Sequence, residues 1–101
     1  LHIHGGKDPK VPLEGGLDEK HDWMGVGMME GLEIWAKHNG CSKIQPKLLK
    51  GMPDRVKVVG SWENEDGIRV IGAVDPNMGH KWGGWETAVA VHFLKSAPPR
   101  V

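Results

Sequence analysis

Two runs rich in Val and Ile, Arg55 to Trp62 and Ile68 to Val74, constrain this chain more than any other feature. β-branched side chains favour extended backbone, and both runs have strand length. Glu63-Asn64-Glu65-Asp66-Gly67 lies between them, polar and ending in Asp-Gly, which reads as a hairpin connection. A lone two-stranded hairpin is marginal in water, so other elements must extend it and cover it.

Those elements are legible on either side. Leu1 to His4 is a short strand stopped by Gly5-Gly6, and Lys7 to Gly16 is a loop punctuated by Pro9, Pro12, Gly15 and Gly16. Asp22 is a reasonable N-cap for a helix from about Trp23 to His38, with Met28, Leu32, Trp35 and Ala36 on one apolar face. Gly25, Gly27 and Gly31 weaken its first half, by up to about 1 kcal/mol each relative to Ala. Asn39-Gly40 is its stop signal. Cys41 to Asp54 is irregular, and Asp75 to Trp85 is a Gly-rich loop. Glu86 to Ser96 is a final helix with Val89, Ala90, Phe93 and Leu94 on its apolar side, ended by Pro98-Pro99.

The order strand, helix, strand, strand, helix predicts an α/β fold. The first strand, the helix and a later parallel strand make one right-handed βαβ unit. A sheet this small leaves an open edge beside the first strand, which the missing strands of a larger α/β sheet would cover. The chain also starts without Met, and its first letters already alternate as a strand does. This is expected of a fragment or processed chain that begins in mid-strand.

Composition removes several classes. A chain of 101 residues makes one small domain, residues 1–101, with a modest core. Lys plus Arg number 13 and Asp plus Glu number 13, so the basic excess of a nucleic-acid footprint is missing. No apolar run approaches the roughly 18 residues of a membrane span. Leu1-His2-Ile3-His4 is not a signal peptide. The single cysteine, Cys41, excludes an intrachain disulfide. It is a small buried hydrophobe or, in a secreted protein, a thiol whose partner lies outside this chain.

Two loops carry candidate chemistry. Asp8 lies just past the first strand on a loop stiffened by Pro9 and Pro12. His80 follows the last strand, among Gly79, Gly83 and Gly84. The carboxyl ends of strands line the ligand crevice of an open α/β sheet. An Asp there can orient a histidine, and histidine is the side chain best suited to move protons near neutral pH. Taken singly, Asp8 reads first as a turn residue capping its own backbone, and His80 as an ordinary surface residue. Taken together, an acid followed by a base late in the chain matches the α/β-hydrolase order of Ser, then Asp or Glu, then His. Ser42, Ser61 and Ser96 all lack the G-x-S-x-G context of the nucleophile. Cys41 follows a helix stop and is a poor substitute.

His2-Ile3-His4-Gly5-Gly6-Lys7-Asp8-Pro9-Lys10-Val11-Pro12-Leu13-Glu14-Gly15-Gly16 resembles the H-G-x-x-D-x-x-V-P-Y-x-G-G stretch of the polyhydroxybutyrate depolymerase and feruloyl or acetylxylan esterase-like α/β-hydrolases. Trp35-Ala36-Lys37-His38-Asn39-Gly40-Cys41 resembles that family's W-A-x-x-N-G-C, and Gly79-His80-Lys81-Trp82-Gly83-Gly84 its G-H-x-W-P-G-G. The likeness covers nearly the whole chain, with the three motifs in the family's order. It implies the carboxyl-terminal part of an α/β-hydrolase sheet, with Asp8 as triad acid and His80 as triad base. It further implies a carboxylic ester hydrolase, secreted or in the cell envelope, without a metal or other cofactor. The nucleophile would come from the amino-terminal half, as a missing segment or a second chain. Leu13 stands where the family has Tyr, Asn77-Met78 replaces glycines, Pro is absent after Trp82, and the second cysteine that the family pairs with the Cys41 position is missing.

Trp82 and Leu13 are the candidate substrate contacts; Trp82 and Trp85 flank the His80 loop, where aromatic rings either stack on a substrate or pack the loop. His2 and His4 form an H-x-H pair, on one face if they lie in a strand, but a third metal ligand is not obvious. His21, His38 and His92 read as surface or helix-end residues, and Met28, Leu32 and Trp35 as core. Two alternatives to the esterase therefore stand: a non-catalytic interaction module derived from a hydrolase, and a small metal-binding protein built on His2 and His4.

Overall fold

The computed structural model of the chain describes residues 1–9, 11, 13–18 and 23–97. The elements are β1 (His2–Gly5), β2 (Gly15–Asp18), β3 (Trp23–Val26), α1 (Met28–His38), β4 (Ser42–Ile44), β5 (Lys57–Glu63), β6 (Arg69–Asp75) and α2 (Glu86–Lys95). β5 and β6 are the expected antiparallel hairpin, with Glu63 opposite Arg69 and Lys57 opposite Val74. Their turn is built by Asn64, whose side-chain oxygen accepts the amides of Asp66 and Ile68 while Gly67 takes φ 81°.

The hairpin sits inside a mixed four-stranded sheet of order β1-β6-β5-β4. β1 pairs parallel with β6, and β4 antiparallel with β5, so β1, β6 and β4 point the same way. A helix lies on each face. On one, Met28, Leu32 and Ala36 of α1 pack with Trp62 and Val70. Gly72 makes this close approach possible: a Cβ there would collide with Leu32 and come within 3.0 Å of Met28 Cε. On the other, the Arg69 guanidinium lies 4.9 Å from the Phe93 ring of α2, and the Trp85 indole reaches Asp75. Strand alternation puts Ile71 and Ala73 on that same face, and both are fully buried, as is Val89. Each large core side chain of this kind contributes about 1.5–3 kcal/mol by leaving water.

The α/β expectation holds, but β2 and β3 stand between β1 and α1, and β4 between α1 and β5. α1 stops as the sequence predicts: Gly40 at φ 66° lets Cys41 N–H reach Ala36 O and Gly40 N–H reach Lys37 O, a Schellman closure.

Four expectations are corrected. The helix does not begin at Trp23; Trp23–Val26 is a strand paired with Gly15–Asp18. Glycines at 25 and 27 disfavour helix there, and Gly27 (φ −64°, ψ 157°) is the extended residue from which α1 starts. The amide of Met28 is satisfied by Leu13 O at 2.8 Å, so the turn that the helix lacks is supplied by the preceding loop. Ser42–Ile44 is an edge strand within the stretch expected to be irregular. Trp35 is 63% exposed, and lines an open surface cavity with Leu1 and His2 beside β1. Leu94, expected on the apolar side of the last helix, is also exposed. The expected cap Asp22, with His21, Pro12 and Pro98-Pro99, lies outside the described residues.

Candidate functional site

Parallel pairing of β1 with β6 sets Gly5 opposite Asp75 and brings both following loops out at one end of the sheet. The loops are laced together by backbone: Gly6 N–H donates to Asp75 O at 2.9 Å and Lys7 N–H to Met78 O at 3.0 Å. Gly5 is the point of closest approach. A Cβ there would run into the carbonyl oxygens of Met78 and Gly79 and lie 2.7 Å from the Met78 carbonyl carbon. No residue but glycine fits without separating the loops.

This crossing delivers Asp8 to His80. Asp8 Oδ2 lies 2.9 Å from His80 Nδ1, with the Asp8 side chain 7% exposed and that of His80 47% exposed. An ionised carboxylate only accepts, so Nδ1 carries the proton and Nε2, across the ring, is left as a base. Asp8 Oδ1 accepts the Val11 amide at 2.9 Å, and His4 Nε2 is 3.9 Å from Oδ2. A shallow cavity of about 200 Å³ opens beside the pair, lined by Ile3, Met78, His80 and Trp82 among others.

The His80 loop is anchored at both ends by buried carboxylates. At its start, Asp75 accepts Arg55 Nε and Nη2, both at 3.0 Å, the Asn77 amide at 3.0 Å and Trp85 Nε1 at 3.1 Å. The Arg55 guanidinium, chiefly through this hydrogen bonding, holds the Asp75 carboxyl below its ordinary range, against the opposing effect of burial. At the far end, fully buried Glu86 accepts the amides of Gly83 at 3.0 Å and Gly84 at 2.8 Å. A carboxylate in the first turn of a helix is favourable by charge as well as by hydrogen bonding.

The remaining expected residues distribute as follows. Trp82 lines the cavity beside His80 and is 53% exposed. Trp85 is a structural ring, tied to Asp75. Leu13 is not brought to the site; it packs against the core on the α1 side and lines a separate cavity with Met28, Val59 and Val74. His2 and His4 do share a face, but their rings stack 5.3 Å apart and bond to each other, Nε2 to Nδ1 at 3.1 Å. His4 Nε2 is bonded to Val11 O at 2.7 Å. Among the described residues no group of three or more His, Cys, Asp or Glu converges on a metal position.

None of the three serines serves His80. Ser61 is buried in β5 and accepts the Lys47 amide, Ser96 bonds Phe93 O at the end of α2, and Ser42 is on the far edge strand. Cys41 lies near the start of β6, its Sγ 3.5 Å from Ile68 O, at the end of the strand opposite His80. Burial, then the nearby Glu63, raise its thiol pKa, which is unfavourable for a nucleophile.

Arg55, Asp75, Glu86 and His4 are the residues that sequence reasoning did not single out for the site. Glu86 had a readable signal, an acid at the first turn of a helix. Arg55 and Asp75 had none, since only the β5–β6 register brings them together. Among the described residues no helix is long and apolar enough to cross a membrane. Comparison with protein-family models, curated proteins and solved structures finds no match to this chain.

Proposed function

We propose that this chain carries the acid and base of a serine carboxylic ester hydrolase, the carboxyl-terminal part of an α/β-hydrolase domain. The observation that carries the reading is the 2.9 Å contact between buried Asp8 Oδ2 and half-exposed His80 Nδ1 at the carboxyl ends of adjacent parallel strands. A serine from a segment or chain beyond this sequence attacks the ester carbonyl. His80 Nε2 takes the serine proton and returns it to the leaving alcohol, and Asp8 stays ionised and stabilises the imidazolium. Trp82 contacts the acyl or alcohol part of the substrate. Polyester, feruloylated and acetylated polysaccharide are the ester classes that the motif resemblance favours, and a secreted or cell-envelope setting goes with them.

Two features support a partner segment. Among the described residues β1 has no strand on its outer side, and Trp35 is left exposed at that same border. Strands added beside β1 would cover both.

The test is turnover of p-nitrophenyl acetate by the chain alone and by the chain joined to an upstream segment bearing G-x-S-x-G. The chain alone is expected to be inactive and the joined protein active. His80-dependent hydrolysis by the chain alone, or turnover unchanged by His80→Ala in the joined protein, sinks the reading.

A further inference from the structure

We infer that His4 is a positioning residue for Asp8, acting through the Val11 peptide; this rests on the reading of Asp8 and His80 as a catalytic pair. His4 is 7% exposed and sits in β1 opposite Val74. Its Nε2 is 2.7 Å from the Val11 carbonyl oxygen. A carbonyl only accepts, so Nε2 carries a proton. In the neutral ring Nδ1 is then the acceptor, and His2 Nε2, 3.1 Å away, donates to it. The tautomers of both histidines follow from one backbone carbonyl.

The same Val11 residue donates its amide to Asp8 Oδ1 at 2.9 Å. His4 therefore pins the carbonyl of the residue whose amide pins the carboxylate. With Oδ1 held on the loop, Oδ2 is directed at His80 Nδ1. His4 Nε2 is 3.9 Å from Oδ2, too long for a direct hydrogen bond, so the link runs through Val11. A residue paired into the sheet thus fixes the position of the loop acid.

Imidazole ¹⁵N spectra of the whole chain, at a pH where the rings are neutral, test this. In the native chain His80 is expected as the Nδ1–H tautomer and His4 as Nε2–H. Asp8→Ala should switch His80 to the Nε2–H form that free imidazole favours. His4→Phe keeps the ring's size and removes its donor; it should give the same switch with β6 amide signals unmoved. His4→Gln returns an N–H close to the Nε2 position and should retain the Nδ1–H form. A purely space-filling role predicts the reverse, Phe tolerated and Gln not. His80 unchanged by His4→Phe, Gln behaving as Phe, or a native His4 protonated at Nδ1 overturns the inference. If His4→Phe does not fold, the native His4 tautomer and the Gln variant decide. A His80 tautomer indifferent to Asp8→Ala instead removes the Asp8–His80 reading itself.

Discussion

Asp75 and Arg55 form a two-pronged ion pair across the hairpin, Nε to Oδ1 and Nη2 to Oδ2, each at 3.0 Å. Asp75 is 2% exposed, and its carboxylate also holds the first amide of the His80 loop and the indole of Trp85. Strand β6, the His80 loop and the start of α2 therefore share one anchor.

Asp75→Ala is expected to destabilise the chain by about 2 kcal/mol or more, since charge-assisted hydrogen bonds contribute about 1.5–3 kcal/mol each and several are lost together. Urea unfolding checks this. A midpoint within error of the native chain would mean that the loop is held by its backbone bonds alone.

The same pair predicts an acid dependence. Arg55, ahead of the Asn77 amide and the Trp85 indole, lowers the folded Asp75 pKa below its ordinary value of 3.8, and burial opposes without overcoming it. A depressed folded pKa stabilises fully above the unfolded value and is lost as pH falls through the folded one. The stability difference between the native chain and Asp75→Asn should stay constant from about pH 7 to about pH 5 and shrink below about pH 4. Urea midpoints across that range measure it, and a difference that instead grows on acidification contradicts the assignment.

The hairpin, the helix stop at Asn39-Gly40 and the meeting of Asp8 with His80 were legible because each depends on local signals or on strand order. Val and Ile runs flank Asp-Gly, glycine follows a helical stripe, and loops after neighbouring parallel strands emerge at one end. The β2–β3 hairpin was not legible, because Trp23 to Val26 is a short apolar run next to a helix and only its glycines distinguish it. Trp35 is at helical spacing with the core, yet it is left exposed. Helical periodicity records which way a residue faces, not how far the opposing surface extends. Arg55 with Asp75 depends on strand register, which no local pattern encodes.

Glu86 gives a third expectation. Its carboxylate satisfies the amides of Gly83 and Gly84 in the turn after His80. Glu86→Ala should cost about 1–3 kcal/mol and speed hydrogen exchange at both amides, whereas Glu86→Gln, with one acceptor oxygen left, should retain protection at one of them. Unchanged exchange at Gly83 and Gly84 in the Ala variant would show that the carboxylate is not their acceptor in solution.

Gly5→Ala is the smallest change that forces the two loops apart. Its methyl meets the carbonyl oxygens of Met78 and Gly79, which belong to backbone and cannot rotate away as a side chain does. A cost of about 1–3 kcal/mol is expected from such overpacking. The more telling readout is His80, which should lose its Asp8-bound Nδ1–H tautomer in this variant. Gly79→Ala, where an added Cβ meets nothing within 4 Å, is the control and should leave both stability and tautomer nearly unchanged.

The last expectation concerns the pair in the protein joined to its proposed nucleophile. Asp8→Asn keeps the size of the side chain, but its amide donates where the carboxylate accepts, so His80 is driven to the wrong tautomer; a fall in kcat of about 10⁴ is the expected order. His80→Ala removes the base outright and should lose at least as much. Groups acting as a unit are strongly non-additive, so Asp8→Asn added to His80→Ala should lower kcat by less than about twofold more. Trp82→Ala, which removes a half-exposed ring lining the cavity beside the pair, should raise KM with kcat little changed. Full multiplication of the Asp8 and His80 effects would mean that the two residues act on separate steps, and that the contact between them is structural.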